Sequence, residues 1–222
     1  MIYKQKKLIY IHIYKTAGKT VKNSLMNIQD PTPLQYKIFN NTLGGRFGFS
    51  KQYLEHQSFK IYRNGEALSS HIRATDYKEY LGEEKYKDYF KFSFVRNPFD
   101  WQVSLYFFMK QKKDHYQHEL VNSMSFEEYI LWRCEVEPYH QSYFLYDDFG
   151  QSQIDFLGKV ETLEKDLLHI SNKYNFKLNE IKTIGASKHN DYRSYYNSST
   201  EKLVAETFAR DFELLNYKNS IL

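Results

Sequence analysis

Residues 7–25 read KLIYIHIYKTAGKTVKNSL, and this stretch decides the fold. Its first part, residues 8–13, is a short apolar run of β-branched and aromatic residues, which is typical of a buried strand. The run passes directly into residues 15–20 (KTAGKT), after which Val21 and Leu25 recur at helical spacing. The sequence therefore predicts a strand, a tight loop and a helix in that order.

The predicted loop is suited to holding an anion. It carries two lysines, two threonine hydroxyls and a glycine, whose missing side chain lets backbone come close to a ligand. The first N–H groups of the following helix have no partners inside that helix, and they lie at the positive end of its dipole. A basic surface turn without a ligand is the alternative interpretation.

Residues 18–20 (GKT) also fit the end of the nucleoside-triphosphate loop, G-x-x-x-x-G-K-[ST]. That pattern needs a glycine five positions before Gly18, and the chain has Ile13 there. A kinase would further need an acidic residue at a later strand end to hold Mg²⁺, for which Asp100 and Asp155 are poor candidates. A phosphate-loop kinase that uses ATP is kept as an alternative function.

A second strand, loop and helix follow in the middle of the chain. Residues 89–95 (YFKFSFV) alternate as a strand does, and residues 99–110 carry apolar side chains at helical spacing. Arg96 is thereby placed at a strand end and Ser104 within a helix. A forked guanidinium and a hydroxyl suit a second anion site, whereas an ion pair of Arg96 with Asp100 is the structural alternative.

These two units resemble the sulfotransferases that use 3′-phosphoadenosine 5′-phosphosulfate (PAPS). The phosphosulfate loop of that family commonly reads like IPKTAGTS, where this chain has IYKTAGKT; its 3′-phosphate signature is close to FVRNPxDRxVSxY, where this chain has FVRNPFDWQVSLY. The chain departs from these motifs at Lys19, where threonine or serine is common, and at Trp101, where arginine is often found. Residues 155–166, 187–196 and 209–217 are similar to later blocks of the glycan-directed branch.

The resemblance implies an α/β fold of the P-loop type, in which helices flank a central parallel sheet in three layers and residues 1–222 form a single domain. It implies transfer of a sulfuryl group from PAPS to an acceptor hydroxyl on a carbohydrate, with adenosine 3′,5′-bisphosphate (PAP) as the second product. Two basic loops would neutralise the donor, so no metal is expected. A nucleotide-binding or glycan-binding module without catalysis is a further alternative.

Each donor-binding residue takes a role from the resemblance. Lys15 would meet the bridging oxygen and the leaving 5′-phosphate, where negative charge develops during transfer. Lys19 either adds a second positive charge or points into solvent. Arg96 and Ser104 would bind the 3′-phosphate. The full set of expected donor-binding residues is Lys15, Thr16, Ala17, Gly18, Lys19, Thr20, Arg96, Ser104, Ser187, Lys188 and Arg193; for the last three, ordinary surface charge is the alternative.

The acceptor hydroxyl must lose a proton as it attacks, and a histidine is suited to accept it. His71 lies between the two phosphate-binding units, in the stretch SSHIRA, where many members of the family carry a histidine. Lys15 and His71 are therefore the expected catalytic residues. His12 on the first strand and His189 are the other candidates, although His12 also fits a buried, neutral imidazole that packs beside the loop.

Composition sets limits on the class of protein. The chain has 222 residues, 41% of them hydrophobic and 26% charged, which is within the globular range. Its net charge of +4 favours anionic ligands without requiring nucleic acid. Cys134 is the single cysteine, so we expect a reducing, cytoplasmic location, and we recognise neither a signal peptide nor an apolar stretch long enough to span a membrane. The oligomeric state is left open.

Further elements are predicted along the rest of the chain. The pattern predicts a strand over 156–160 and helices over 51–57, 77–81, 126–134, 163–174 and 200–215. Residues 59–62 fit either a short strand or part of a flexible excursion. Ser125 and Glu128 have the spacing of a capping box. Residues 111–125 are predicted to form an exposed insert, with His115 and His118 in solvent.

Overall fold

The fold is organised around a mixed β-sheet. The computed structural model describes residues 1–28, 62–63, 66–67 and 71–221. Within these ranges the strands are β1 (Ile2–Tyr3), β2 (Leu8–Ile11), β3 (Tyr62–Arg63), β4 (Glu66–Ala67), β5 (Phe90–Val95) and β6 (Phe156–Lys159). Four of them form one sheet in the order β1-β2-β5-β6, and β3 pairs with β4 in a separate antiparallel sheet. β1 is antiparallel to β2, whereas β2, β5 and β6 are parallel to one another.

Nine α-helices lie in the described ranges. They are α1 (Gly18–Ser24), α2 (Ala74–Leu81), α3 (Glu83–Lys87), α4 (Pro98–Gln111), α5 (His118–Asn122), α6 (Phe126–Val136), α7 (Leu163–Lys173), α8 (Ser198–Thr207) and α9 (Ala209–Leu214). None of the helices in the described ranges is sufficiently long and apolar to span a bilayer.

Apolar side chains pack on both faces of the sheet. Along β2, Ile9 and Ile11 belong to one buried cluster, which also contains residues of α2, α4, α6 and α8. Leu8 and Tyr10 belong to a second cluster, together with residues of α1 and α7. Successive side chains of a strand point to opposite faces. Helices therefore cover both faces, and the continuous apolar run of β2 is explained by burial on each of them.

Parallel pairing brings the two predicted anion loops to one edge of the sheet. Ile11 lies opposite Ser93, and Val95 lies opposite Lys159. The Ser93 hydroxyl donates a 2.7 Å hydrogen bond to the Ile11 carbonyl, which fixes this alignment. The loop after β2 and Arg96 after β5 consequently emerge at the same carboxyl edge, where open α/β sheets place their ligands.

Most of the predicted elements are confirmed. The strands predicted over 89–95 and 156–160 and the helices over 99–110, 126–134 and 163–174 agree with the observed bounds to within two residues. α2 begins three residues before its predicted start. The capping box is present, since Ser125 Oγ accepts from the Glu128 N–H and the Glu128 carboxylate accepts from the Ser125 N–H. The predicted helix over 51–57 and most of residues 59–62 lie outside the described residues.

The prediction of one helix over 200–215 is wrong, because the segment forms α8 and α9 with a break at Phe208. The break positions Asp211, whose fully buried carboxylate accepts from the backbone N–H groups of Gln141 at 2.7 Å and Ser142 at 2.9 Å. The Gln141 side chain in turn bonds the backbone N–H and carbonyl of Arg96. The C-terminal segment is thus linked to the end of β5.

The prediction of an exposed insert over 111–125 is confirmed for most of its residues, but Gln117 and Val121 are buried and His115 and His118 are half-buried rather than in solvent. Part of the segment forms α5, and Val121 from that helix is fully buried in the core. His118 is half-buried and donates through Nδ1 to the Met109 carbonyl at 2.9 Å, while the ring of His115 stacks on Tyr116. The segment folds back onto α4 because Val121 finds an apolar site there.

Replacing Asp211 should test the link between the C-terminal segment and β5. Asp211→Ala leaves two buried N–H donors without an acceptor, and each costs about 1–3 kcal/mol, so we expect the free energy of unfolding to fall by about 2–6 kcal/mol. Urea denaturation measures this change. Asp211→Asn retains one amide oxygen and should lose less. A change in Asp211→Ala within about 0.5 kcal/mol, as at ordinary surface positions, would contradict this account.

Candidate functional site

The loop between β2 and α1 has an unusual backbone. Lys15 and Ala17 both have φ of 61°, in the left-handed region, and Ala17 is the N-cap of α1. A non-glycine residue in this region costs about 1–2 kcal/mol, so surrounding contacts must hold it there. One such contact is internal, because the buried Thr16 hydroxyl donates to the Ile13 carbonyl at 2.9 Å. The loop is therefore held in shape by the protein itself.

Gly18 is required by a neighbouring side chain. A Cβ atom on Gly18 would lie 1.7 Å from Nε2 of His12 and within 2.7 Å of two other ring atoms. The sequence suggested that this glycine lets backbone approach a ligand, and the structure shows that the imidazole of His12 takes the space. The half-buried His12 thus packs beside the loop, as its position on the strand indicated.

Lys15 lies in a strongly positive environment. Burial, together with the charges of Arg96 and Lys19, lowers the pKa of Lys15 to about 8. The Lys15 Nζ atom lies 4.5 Å from the centroid of the Phe108 ring on α4. Three predicted donor-binding cations are therefore close enough to interact, although they come from two separate loops. An anion bound among them would relieve their mutual repulsion.

Arg96 is held on one side by an ion pair. Its Nε and Nη2 atoms donate to the Asp100 carboxylate at 2.6 Å and 2.9 Å, and both side chains are 18% exposed. The structural alternative foreseen for Arg96 is thus present. A guanidinium carries five N–H donors, so this pair does not exhaust it. Asp100 orients the group, and a ligand would contact its remaining donors.

Residues 184–188 connect the two predicted anion loops. Thr20 Oγ1 accepts from the Ile184 N–H at 3.0 Å, and the Lys19 side chain runs past Gly185. At the other end, Ser187 Oγ lies 3.2 Å from Ser104 Oγ and donates to the Ser104 carbonyl at 2.9 Å. The segment therefore brings predicted donor-binding residues from three parts of the chain together.

The two remaining donor-binding candidates lie farther out on the surface. The carbonyl of the exposed Lys188 accepts from Gln111 Nε2 at 3.1 Å, which ties this residue to the end of α4. The Arg193 side chain is 56% exposed and pairs with Asp191 at 2.9 Å. Both residues are exposed, which fits the role of surface charge that was the alternative for each of them.

His71 meets one geometric requirement of a base. Its Nδ1 lies 3.1 Å from the His12 carbonyl oxygen, so Nδ1 must carry the proton and Nε2 the lone pair. Burial lowers the pKa of His71, and the bond to the His12 carbonyl opposes this only in part, which favours the neutral, proton-accepting form. Its ring is 5.6 Å from that of Tyr14, the residue before Lys15. His189 instead stacks on Phe107.

An open cleft of about 900 Å³ adjoins the loop. Ala17 and Thr20 line one wall, and residues 160–162 after β6, residues of α7 as far as Asn172, and Ile181 and Thr183 line the rest. Lys15, Arg96 and His71 are not among the residues that line this cleft. Its volume is within the range of clefts that hold small ligands. Within the described ranges, no cluster of three or more His, Cys, Asp and Glu side chains is arranged to hold a metal ion.

Sequence reasoning missed several residues that support the site. Gln141 braces the backbone of Arg96, and nothing in its local sequence indicates this. Trp101 was noted only as a departure from a motif, yet its indole Nε1 donates to the Tyr14 carbonyl at 2.8 Å. The buried Arg133 donates to the Tyr14 hydroxyl at 3.2 Å. Of these three residues, only Trp101 was indicated by the sequence, through its departure from the family motif.

Comparisons with known proteins show which of them this chain is similar to. Residues 1–218 match the sequence model described as the sulfotransferase family. The CMP-N-acetylneuraminate:beta-galactoside alpha-2,3-sialyltransferase of Pasteurella multocida (strain Pm70) is 24% identical over 169 residues, which cover 68% of this chain and 54% of that protein. The chain thus spans about half the length of this relative. No solved structure was found to match the chain.

Replacing Gly18 should reveal its contact with His12. Gly18→Ala forces the His12 ring to move, and we expect a loss of about 1–3 kcal/mol in the free energy of unfolding, as in other overpacked sites, although alanine favours helices. Urea denaturation is the measurement. The double variant Gly18→Ala/His12→Ala removes the ring and should be more stable than Gly18→Ala alone. If the double variant is less stable, the ring is not the obstacle.

Proposed function

Because the chain belongs to the sulfotransferase family, we propose that it transfers a sulfuryl group from PAPS to a hydroxyl group on a carbohydrate. In this proposal the sheet and its helices form the three-layer, P-loop-type arrangement of nucleotide-binding folds. The observation that carries the proposal is the joint placement of Lys15 and Arg96. They follow neighbouring parallel strands and emerge at the same carboxyl edge of the sheet, where one donor could contact both cations.

The donor would be held at both of its anionic ends. The 5′-phosphosulfate would lie on the loop of residues 15–20, facing the N-terminus of α1 and the ammonium groups of Lys15 and Lys19. The 3′-phosphate would contact Arg96 through the donors that Asp100 does not use, and the hydroxyls of Ser104 and Ser187 would lie beside it. The bond between these two serines supports their acting as one unit.

Transfer would proceed by attack of the acceptor oxygen on sulfur. The bond between sulfur and the bridging oxygen breaks, a new oxygen–sulfur bond forms, and PAP leaves with the negative charge of the bridging oxygen. Lys15, whose ammonium group lies in a partly buried site, would stabilise that charge. The acceptor proton would go to Nε2 of His71, whose Nδ1 is already committed to the His12 carbonyl.

A carbohydrate acceptor is supported by two resemblances. The later sequence blocks resemble the glycan-directed branch of the family. The Pasteurella relative is named as a transferase that acts on a β-galactoside, although it is distant and differs in the group it transfers. We therefore propose a sugar hydroxyl as the acceptor class.

Calorimetry with nucleotides tests the donor. We expect PAP to bind at least about tenfold more tightly than AMP, which lacks only the 3′-phosphate, since a charge-assisted hydrogen bond contributes about 1.5–3 kcal/mol. PAP should also bind more tightly than ATP with Mg²⁺. Tighter binding of ATP with Mg²⁺ would favour a kinase and contradict the proposal.

A transfer assay with labelled PAPS and a panel of glycans and phenols tests catalysis. Lys15→Ala should lower the rate by about 10²–10³-fold, because it removes the cation at the leaving oxygen. His71→Ala should lower it by about 10²–10⁴-fold through loss of the base. Lys202→Ala, at a 76% exposed position on α8, is the matched control and should leave the rate unchanged. Wild-type rates in both site variants would exclude the assigned roles, and nucleotide binding without transfer would indicate a binding module.

A further inference from the structure

Two departures from the family motifs contact each other in the structure. The phosphosulfate-loop motif has proline at the position of Tyr14, and the 3′-phosphate motif has arginine at the position of Trp101. The rings of Tyr14 and Trp101 stack with their centroids 5.0 Å apart and an angle of 29° between their planes. Trp101 is fully buried. The two substitutions are 87 positions apart in sequence, yet they form one contact, the Tyr14–Trp101 pair.

The hydrogen bond of this pair acts on the backbone next to Lys15. The indole Nε1 of Trp101 donates to the Tyr14 carbonyl at 2.8 Å. That carbonyl belongs to the planar peptide that also contains the Lys15 N–H. A hydrogen bond that holds the oxygen therefore also holds the orientation of the Lys15 N–H bond. Lys15 follows with φ of 61°, which is unfavourable for its type. A proline would restrict the backbone through its own ring, whereas Tyr14 has no such restriction.

The side chain of Tyr14 is held from a third direction. Nη2 of Arg133 donates to the Tyr14 hydroxyl at 3.2 Å, and Arg133, only 2% exposed, is itself paired with Glu137 at 3.4 Å. The edge-to-face contact of Tyr14 with His71 then links the ring to the expected base. Tyr14 is therefore bonded covalently to one expected catalytic residue and packed against the other.

We propose that the Tyr14–Trp101 pair is a positioning device that sets the Lys15 ammonium group and the His71 ring relative to each other. Trp101 acts through the Tyr14–Lys15 peptide and touches neither the donor nor the acceptor. In this chain the pair takes over the constraint that proline supplies in the common motif. This inference rests on the proposed function for its effect on catalysis, but its effect on Lys15 is independent of any reaction.

The first test measures the pKa of Lys15 by NMR titration of the labelled lysine side chain. The charged groups around it are Lys19 on α1, Arg96 after β5 and Lys112, which lies 5.7 Å from the same Phe108 ring. Trp101→Phe keeps a ring but removes the N–H. We expect Lys15 to become more solvated, so that its pKa rises from about 8 toward the ordinary lysine value of about 10.4. An unchanged pKa in a folded Trp101→Phe variant would overturn the proposal.

Tyr14→Leu covers the case in which Trp101→Phe does not fold. It removes the stacked ring at a half-buried position while leaving the carbonyl in the chain. The pKa of Lys15 should rise in this variant also, and an unchanged value would count equally against the proposal. Because this titration needs no substrate, it decides the inference even if PAP does not bind and the proposed function fails.

The second test is a double-mutant cycle in kcat. Trp101→Phe should lower kcat by about 10–100-fold, as expected for a small displacement of a catalytic group. In a Lys15→Ala background the same substitution should have less than about a threefold effect, because the residue through which it acts is gone. Equal losses in the two backgrounds would indicate a merely structural role. A wild-type enzyme that binds PAP while Trp101→Phe keeps full kcat would reject the inference and leave the proposed function intact.

Discussion

The parallel pairing of β2 with β5 is the constraint on which the rest of the structure depends. It sets Ile11 opposite Ser93, and the Ser93 hydroxyl bonds the Ile11 carbonyl. Each strand therefore ends at the same edge, and each end leads into a loop that carries a cation. A shift of this register by one residue would reverse the faces of Leu8 and Ile9, which are buried in different clusters. Core packing thus fixes the position of Lys15 relative to Arg96.

Gathering cations at one edge is unfavourable in the free protein. Lys15 loses part of its hydration and is repelled by Arg96 and Lys19, as its lowered pKa records. The chain offsets this with Asp100, which pairs with Arg96, and with the Phe108 ring beneath Lys15. Proteins commonly keep unfavourable local interactions of this kind at sites where a bound ligand offsets them. The left-handed backbone at Lys15 and Ala17 is a second unfavourable feature of the same loop.

Short sequence patterns were sufficient to predict those elements that depend mainly on residues near one another in the chain. The alternating residues of β5 and the Ser125–Glu128 capping box are determined by neighbours along the chain, and both are observed. The break at Phe208 could not be predicted, because apolar spacing continues through it. The break exists to bring Asp211 to the N–H groups of Gln141 and Ser142, about seventy residues away in sequence. The contact between Gly18 and the ring of His12 likewise could not be predicted from the local sequence.

The sequence by itself determined the order of strand, loop and helix around Lys15 and Arg96, since periodicity and residue type act over a few neighbours. It also determined the family, because both motifs that resemble those of the sulfotransferases are contiguous. The tertiary structure alone decided that Tyr14 stacks on Trp101, that residues 184–188 join Thr20 to Ser104, and that Asp211 supports Arg96 through Gln141. Such contacts depend on which surfaces the packed sheet and helices bring together. That outcome is a property of the whole chain, which no short stretch of it encodes.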